Sequence, residues 1–172
     1  MNNFVLELFD DQGQVCTFYT VRWEEATMSE TDKFFLKYEN YIKFERPLQE
    51  LAKFISNKIG NELGALDYFF RFENTAQALP PSGTYTVDDF LIHFSHFPLR
   101  LYCLRISDTL VVLFNGAEKT ANSAQGGKTG MVFQEANMFA NRILEALRDK
   151  HIYITADQRA FKSFDGSDDI LI

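Results

Sequence analysis

The sequence predicts an α+β fold: an antiparallel β-sheet with helices packed on one face. Two pairs of β-type segments are each separated by a turn. Two helical periodicities lie between the pairs, and a third follows the second pair. Hairpin, two helices, hairpin and helix in this order are typical of an antiparallel sheet with helices segregated to one side. With 172 residues, 46% of them apolar, the chain is expected to form a single domain over residues 1–172.

The first hairpin is predicted at the N-terminus. Residues 4–9 and 15–23 are rich in β-branched and aromatic side chains, and Asp10-Asp11-Gln12-Gly13 separates them. Polar residues that end in glycine between two such segments indicate a tight connection between antiparallel strands.

Two helices are predicted after this hairpin. Ser29-Glu30-Thr31-Asp32 indicates a capped helix start, and apolar residues follow it at near-helical spacing. Pro47 is predicted at the first position of the next helix and Gly60 just past its end. Five apolar residues between them recur at helical offsets: Leu48, Leu51, Ala52, Ile55 and Ile59.

The second hairpin and the last helix complete the expected fold. Residues 98–105 and 110–114 flank Ser107-Asp108, and the helical offsets return at Ala136, Phe139, Ala140, Ile143 and Leu147. Ile152-Tyr153-Ile154 is predicted as an edge strand. Residues 155–172 are predicted as a mobile tail.

Composition and charge exclude several classes of protein. The net charge of −7 argues against nucleic-acid binding by overall charge, so any polyanion site must be local. Residues 96–150 carry 7 basic and 5 acidic side chains, against 8 and 15 in residues 1–95. No apolar run approaches the ~20 residues of a membrane helix. We expect no membrane interaction, a cytoplasmic location, and two unpaired core cysteines, Cys16 and Cys103.

The second hairpin also carries the candidate reactive groups. Arg100 and Tyr102 are two residues apart on one strand, so they are expected to share a sheet face, while Leu99, Leu101 and Cys103 turn toward the helices. Lys119 follows at the exit of the next strand. Guanidinium, ammonium and phenol groups on one water-facing surface would bind a phosphodiester and stabilise extra negative charge. The alternative is that Arg100 and Lys119 pair with surface carboxylates.

This part of the chain resembles the RelE/HigB superfamily of toxin-antitoxin mRNA interferases. The resemblance is carried by Phe97-Pro98-Leu99-Arg100-Leu101-Tyr102-Cys103-Leu104, by a turn, and by Leu110-Val111-Val112-Leu113-Phe114-Asn115-Gly116-Ala117-Glu118-Lys119-Thr120 with the helix after it. It covers residues 97–147. The N-terminal hairpin is then an addition to a RelE/ParE-like fold.

The resemblance implies metal-independent cleavage of mRNA by attack of a ribose 2′-OH on the adjacent phosphate, without a cofactor. Arg100 matches the strand arginine that contacts the scissile phosphate, and Lys119 matches a lysine of the family's Lys-Lys-Thr segment. Tyr102 is added as a third catalytic candidate, and the RNA-binding candidates are Arg105, Lys128 and Arg142.

The partners implied by the resemblance are an antitoxin protein and mRNA or the ribosome. Two alternatives remain open. One is a non-catalytic module of the toxin fold that binds protein, as a homodimer for example. The other is a small-molecule binder with an aromatic pocket formed by residues 69–72 and 90–97. No metal site is predicted, since His93 and His96 stand at a spacing that sends extended side chains to opposite faces.

Overall fold

A computed structural model describes residues 2–119 and 127–172, without the side chains of residues 127–129. The strands are β1 Phe4–Asp10, β2 Thr17–Trp23, β3 Arg71–Phe72, β4 Gln77–Leu79, β5 Thr84–Val87, β6 Phe90–His93, β7 Leu99–Ser107, β8 Leu110–Glu118, β9 Ile152–Ile154, β10 Phe161–Ser163 and β11 Ile170–Leu171. The helices are α1 Glu30–Glu39, α2 Ile42–Lys53 and α3 Gly127–Arg148. Both predicted hairpins are confirmed, as the antiparallel pairs β1–β2 and β7–β8.

Seven strands form the main sheet, in the order β11-β1-β2-β8-β7-β4-β3. The α+β class is confirmed, but the expectation of a wholly antiparallel sheet is wrong. The two hairpins lie side by side through β2 and β8, and these two strands run parallel, with Thr17 opposite Leu110 and Thr20 opposite Leu113. The sheet is therefore mixed, with one parallel pair among antiparallel ones.

Helices cover both faces of the sheet, which corrects the prediction of helices on one face. α1 and α2 pack on the face that we call the α1 face, and α3 packs on the opposite one, the α3 face. Strand β8 shows why: Val111 and Leu113 point to the α1 face, Val112 and Phe114 point to the α3 face, and all four are 0% exposed. A continuous apolar run of this kind is typical of a strand covered on both sides.

The start of α1 is as predicted. The Ser29 hydroxyl accepts a hydrogen bond from the Asp32 main-chain N–H at 3.1 Å, which satisfies a donor that the first helical turn leaves without an intrahelical acceptor.

The predicted bounds of the second helix are wrong at both ends. α2 begins at Ile42, so Pro47 lies inside it, and the chain continues past Lys53 as a π-helical segment, Phe54–Leu63. Gly60 does not end this segment but lies within it. Its carbonyl oxygen accepts hydrogen bonds from the N–H groups of Val15 and Cys16. The helical path ends instead before Gly64, whose φ of 82° suits a residue without a Cβ.

The C-terminal residues add two small elements. β9, predicted as an edge strand, pairs with β10 in a separate two-stranded sheet, and β11 pairs with β1 at the edge of the main sheet. Residues 155–172 thus carry β10 and β11, and Ile170 is buried. Within the described ranges, none of the helices combines the length and apolarity needed to cross a membrane.

Candidate anion-binding site

Strand β7 separates core side chains from the candidate reactive ones as the alternation predicts. Leu99, Leu101 and Cys103 belong to the core of the α1 face, whereas Tyr102 belongs to that of the α3 face. Arg100 is two residues before Tyr102 and pairs with Ala117 of β8. By strand alternation Arg100 and Tyr102 therefore share the α3 face.

The expectation that Arg100 faces water is wrong. Only 6% of the residue is exposed, and one guanidinium nitrogen donates to the carbonyl oxygens of Phe97, at 3.0 Å, and Leu99, at 2.8 Å. The physical reason is that α3 packs on the face that the sequence suggested to be open. Nor does Arg100 form an ion pair with any carboxylate among the described residues, which was the alternative expectation.

A second arginine lies on the same face, two strands away. Arg71 of β3 is opposite Ala78 of β4, which is itself opposite Tyr102 of β7, so this row of three residues shares one side of the sheet. The Arg71 side chain donates to the carbonyl oxygen of Pro80 at 2.7 Å. No periodic pattern in the sequence points to Arg71, because β3 is only two residues long.

The charge of Arg71 acts electrostatically on Arg100. Burial lowers the pKa of Arg100 to about 10, the charge of Arg71 adds to this effect, and the carboxylate of Glu73 opposes it. Burial also lowers the pKa of Arg71. Arg100 remains a cation at neutral pH, so two positive charges are held near each other in a partly desolvated place, which costs free energy.

Near Arg100, the Tyr102 hydroxyl is a hydrogen-bond donor without an acceptor among the described residues. Its side chain is 0% exposed, its ring packs on Phe133 of α3 at 5.4 Å, and its hydroxyl has no hydrogen-bond partner among the described residues. Burial, reinforced by Glu73 and opposed by Arg100, raises the pKa of this phenol to about 12. A buried hydroxyl without an acceptor costs about 1–3 kcal/mol. The surroundings of Arg100 therefore contain one buried hydroxyl whose donor is unused among the described residues, while the guanidinium itself is bonded to main-chain carbonyl oxygens.

Lys119 is next to this site along the sheet. Its main-chain N–H donates to the carbonyl oxygen of Pro98 at 2.7 Å, so the β7–β8 register continues to the position two residues beyond Ala117. The residue is exposed. The pairing of β7 with β8 thus brings Lys119 and Arg100 to neighbouring register positions. The lysine is exposed to solvent and the arginine is buried.

The three RNA-binding candidates lie elsewhere. Arg105 bonds to the Ala65 carbonyl oxygen and to the Asp108 carboxylate near the far end of β7. Arg142 of α3 donates to the carbonyl oxygen of Asn2 and lies 4.8 Å from the Phe4 ring centroid. The Lys128 side chain is outside the described residues. The structure therefore does not gather Arg105 and Arg142 around Arg100.

Several rings of the two aromatic segments fill the core of the α1 face, whereas Phe72 and Phe90 are largely exposed. Phe54 is in edge-to-face contact with Phe69, Tyr85 and Phe94, at centroid distances of 5.1–5.3 Å. Phe94 makes a similar contact with Phe97 at 5.3 Å. Aromatic rings packed edge to face in this way stabilise the core of the α1 face.

His93, considered for a metal site, has a different role. Its Nδ1 lies 2.9 Å from the Thr84 hydroxyl across the β5–β6 hairpin. Among the described side chains, no three His, Cys, Asp or Glu groups are arranged to hold a metal ion.

Comparison with known proteins adds no relative: no family model matches the chain, and neither the curated proteins nor the solved structures contain a match. The functional proposal therefore rests on the side chains around Arg100.

Proposed function

We propose that this chain is a toxin-type, metal-independent endoribonuclease similar to the RelE/HigB interferases, and that Arg71, Arg100, Tyr102 and Lys119 surround its scissile phosphate. The observation that carries the proposal is the Tyr102 hydroxyl, a buried donor without a partner among the described residues, beside the buried cation Arg100, on which Arg71 also acts electrostatically. A phosphate group would supply an acceptor oxygen for the Tyr102 hydroxyl and a negative charge for the two arginines.

The proposed chemistry follows from these groups. The 2′-oxygen forms a bond to the adjacent phosphorus as the bond to the 5′-oxygen breaks, leaving a 2′,3′-cyclic phosphate and a free 5′-hydroxyl. The arginines stabilise the charge on the crowded phosphate. The pKa of Tyr102 is about 12, so its phenol, like that of an ordinary tyrosine, is protonated at neutral pH; it donates a proton to the departing 5′-oxygen, while solvent accepts the proton of the 2′-hydroxyl.

In the conformation described, α3 closes this site. Phe133 of α3 packs on the Tyr102 ring, and Asn137 of α3 accepts the main-chain N–H of Ala76 at 2.8 Å. RNA reaches Arg100 and Tyr102 only after the N-terminal half of α3 has moved away from the sheet. An antitoxin partner would then act by holding α3 in place or by occupying the opened face.

Two observations favour a second candidate, a non-catalytic binding module. The near-complete burial of Arg100 and Tyr102 is also what structural residues show. In addition, one side of α3 and the β3–β4 connection line a groove of about 820 Å³ with amide side chains, Asn74 from the connection and Gln134, Asn137 and Asn141 from the helix. Such side chains bond well to the main chain of an extended peptide. In this candidate α3 does not move, and no RNA is cleaved.

An RNA-cleavage assay separates the two candidates. The full chain is incubated with end-labelled mRNA in the presence of EDTA, and the products are tested for 2′,3′-cyclic phosphate ends. We expect cleavage by the wild type and a loss on the order of 100-fold in Arg100→Met, the usual effect of removing one donor to a transition-state oxyanion. Arg46→Met is the matched control, because Arg46 lies on α2 with 86% of its side chain exposed.

Three results would count against a ribonuclease. They are absence of cleavage by the wild type, cleavage that requires a divalent metal, and equal cleavage by Arg100→Met. Thermal unfolding of each variant shows that lost cleavage is not lost folding.

A further inference from the structure

A continuous groove follows α3 along most of its length. Its first part, about 820 Å³, lies between the helix and the β3–β4 connection, and its second part, about 340 Å³, lies between the C-terminal end of the helix and β11. Arg142 and Glu145 line both parts, which makes them one groove, called here the α3 groove. Gln134 and Ala146 are about 18 Å apart along the helix, a length that about five or six residues of extended chain would cover.

The base of the α3 groove is apolar. Phe133, at 3% exposure, and Met138 lie in the first part, and Ala146, at 7% exposure, lies in the second part beside Leu171 of β11. An apolar base with polar sides is typical of a binding site that buries a few side chains of its ligand and orients the rest by hydrogen bonds.

Amide side chains surround the first part of the α3 groove. Gln134, Asn137 and Asn141 follow one another at helical spacing along one side of α3, and Asn74 of the β3–β4 connection also lines this part. The carbonyl oxygens of Asn74 and Asn137 each accept a main-chain N–H, but the amide nitrogens of all four side chains have no acceptor among the described residues. An amide both donates and accepts, as the main chain of an extended peptide does, so the two are complementary.

Two carboxylates lie at the other end of the α3 groove. Glu145 and Asp149 are four residues apart and exposed, and neither forms an ion pair within the described part of the chain. Negative charges at a helix C-terminus oppose the helix dipole, and at this spacing they also repel each other. The neighbouring cation, Arg142, is held by the carbonyl oxygen of Asn2 and the ring of Phe4. The second part is therefore complementary to a cationic group.

We propose that the α3 groove binds a linear peptide in extended form, with the peptide main chain on the amides of the first part and a lysine or arginine of the peptide at Glu145 and Asp149. A peptide in this position contacts both α3 and the β3–β4 connection, so it holds the helix on the sheet. The binding itself does not depend on RNA cleavage. Only an inhibition of cleavage by the bound peptide rests on the ribonuclease proposed above.

A library of random nine-residue linear peptides displayed on phage is the probe. Peptides selected on the full chain are synthesised with a fluorescent label, and their affinity is measured by anisotropy. We expect selected peptides to share a lysine or arginine and to bind more tightly than about 100 µM. N-methylation of the peptide main chain should weaken binding about tenfold or more at one position at least, because it removes an N–H donor.

Asn141→Leu tests the amides. The Asn141 side chain has no hydrogen-bond partner among the described residues, so the substitution should leave the fold intact. We expect it to weaken peptide binding about three- to tenfold, the usual effect of one hydrogen bond. Gln49→Leu is the matched control, because Gln49 is an exposed amide on α2, across the sheet, and its loss should leave the affinity unchanged.

Glu145→Gln tests the charge. Replacing the shared lysine of a selected peptide by norleucine should weaken its binding to the wild type about three- to tenfold. Against Glu145→Gln the same replacement should have a smaller effect, since the carboxylate that attracts the lysine is missing. Glu45→Gln, which removes an exposed carboxylate from α2, should behave as the wild type does.

Three results would overturn the proposal. They are a selection that yields no peptide tighter than about 100 µM, N-methylation that is harmless at every position, and selected peptides that bind Asn141→Leu and Glu145→Gln as tightly as the wild type. Thermal unfolding of both variants confirms that a weaker affinity does not reflect a lost fold.

These measurements need no RNA, so the proposals fail separately. Peptide binding with the expected response of both variants, in a chain that cleaves no RNA, supports the α3 groove as a peptide site and refutes the ribonuclease. Cleavage by a chain that selects no peptide does the reverse.

Discussion

At the scale of single residues, the Tyr102 hydroxyl reduces stability where it stands. It is fully buried and has no partner among the described residues, so its removal is not expected to break any hydrogen bond. Tyr102→Phe should therefore raise the free energy of unfolding, by about 0.5–2 kcal/mol. Urea denaturation at constant m-value measures the change.

Tyr19→Phe is the control for this substitution. The Tyr19 hydroxyl is also on the α3 face, but it accepts the main-chain N–H of Phe161 at 3.2 Å. Its removal leaves that N–H without an acceptor and should lower stability by about 1 kcal/mol. Equal losses in the two variants would mean that Tyr102 has a partner in solution. A more stable but cleavage-deficient Tyr102→Phe would show a group kept for function at a cost in stability.

The sequence could identify Arg100 and Tyr102 as neighbours on one face because alternation along a strand is a local rule. It could not identify Arg71, whose place depends on the pairing of two short strands with β7. The burial of Arg100 depends on which face α3 covers, and no property of residues 97–105 alone decides that.

At the scale of elements, the loop between β1 and β2 and the π-helical segment are in close main-chain contact. A Cβ added to Gly13 would lie closer to the carbonyl oxygen of Gly60 than real Cβ contacts allow. Gly13→Ala should therefore cost about 1–3 kcal/mol of stability, because the main chain has to shift. Thermal or urea unfolding measures the loss.

The opposite glycine of this contact provides the control. A Cβ added to Gly60 meets its nearest neighbour, the Ile55 carbonyl oxygen, at 3.4 Å, which it can accommodate. Gly60→Ala should be neutral or stabilise the protein by up to about 1 kcal/mol through the lower entropy of the unfolded chain. If Gly13→Ala proved as harmless as Gly60→Ala, the close approach of the two segments would be wrong.

This contact also explains the wrong bounds of the second helix. Glycine after a helical periodicity indicates a helix end when only local rules act. Here Gly60 lies inside the helical segment. Its carbonyl oxygen accepts hydrogen bonds from the N–H groups of Val15 and Cys16, about 45 residues away in sequence, so its environment is not set by local rules. The capped start of α1 was predictable because all its partners lie within one helical turn.

At the scale of the whole molecule, both cysteines belong to the core of the α1 face. Cys16 and Cys103 are 0% exposed. Burial raises the pKa of Cys16 to about 12, with the charge of Arg159 opposing the effect, and burial alone raises that of Cys103 further. Neither thiol forms a reactive thiolate in the folded chain near pH 8, so both react only when the structure opens.

Cysteine labelling therefore tests whether the chain behaves as the single domain that its length predicts. A thiol reagent at pH 8 should label Cys16 and Cys103 at one common rate, which corresponds to the free energy of global unfolding, about 5–15 kcal/mol for a domain of this kind. Mass spectrometry of peptides separates the two sites, and the unfolded chain provides the reference rate. Because Cys16 directly precedes β2 and Cys103 lies within β7, faster labelling of Cys16 would mean that the N-terminal hairpin opens on its own. The parallel pairing of β2 with β8 would then be the least stable strand pairing of the sheet. Residues 1–172 would not unfold as a single cooperative unit.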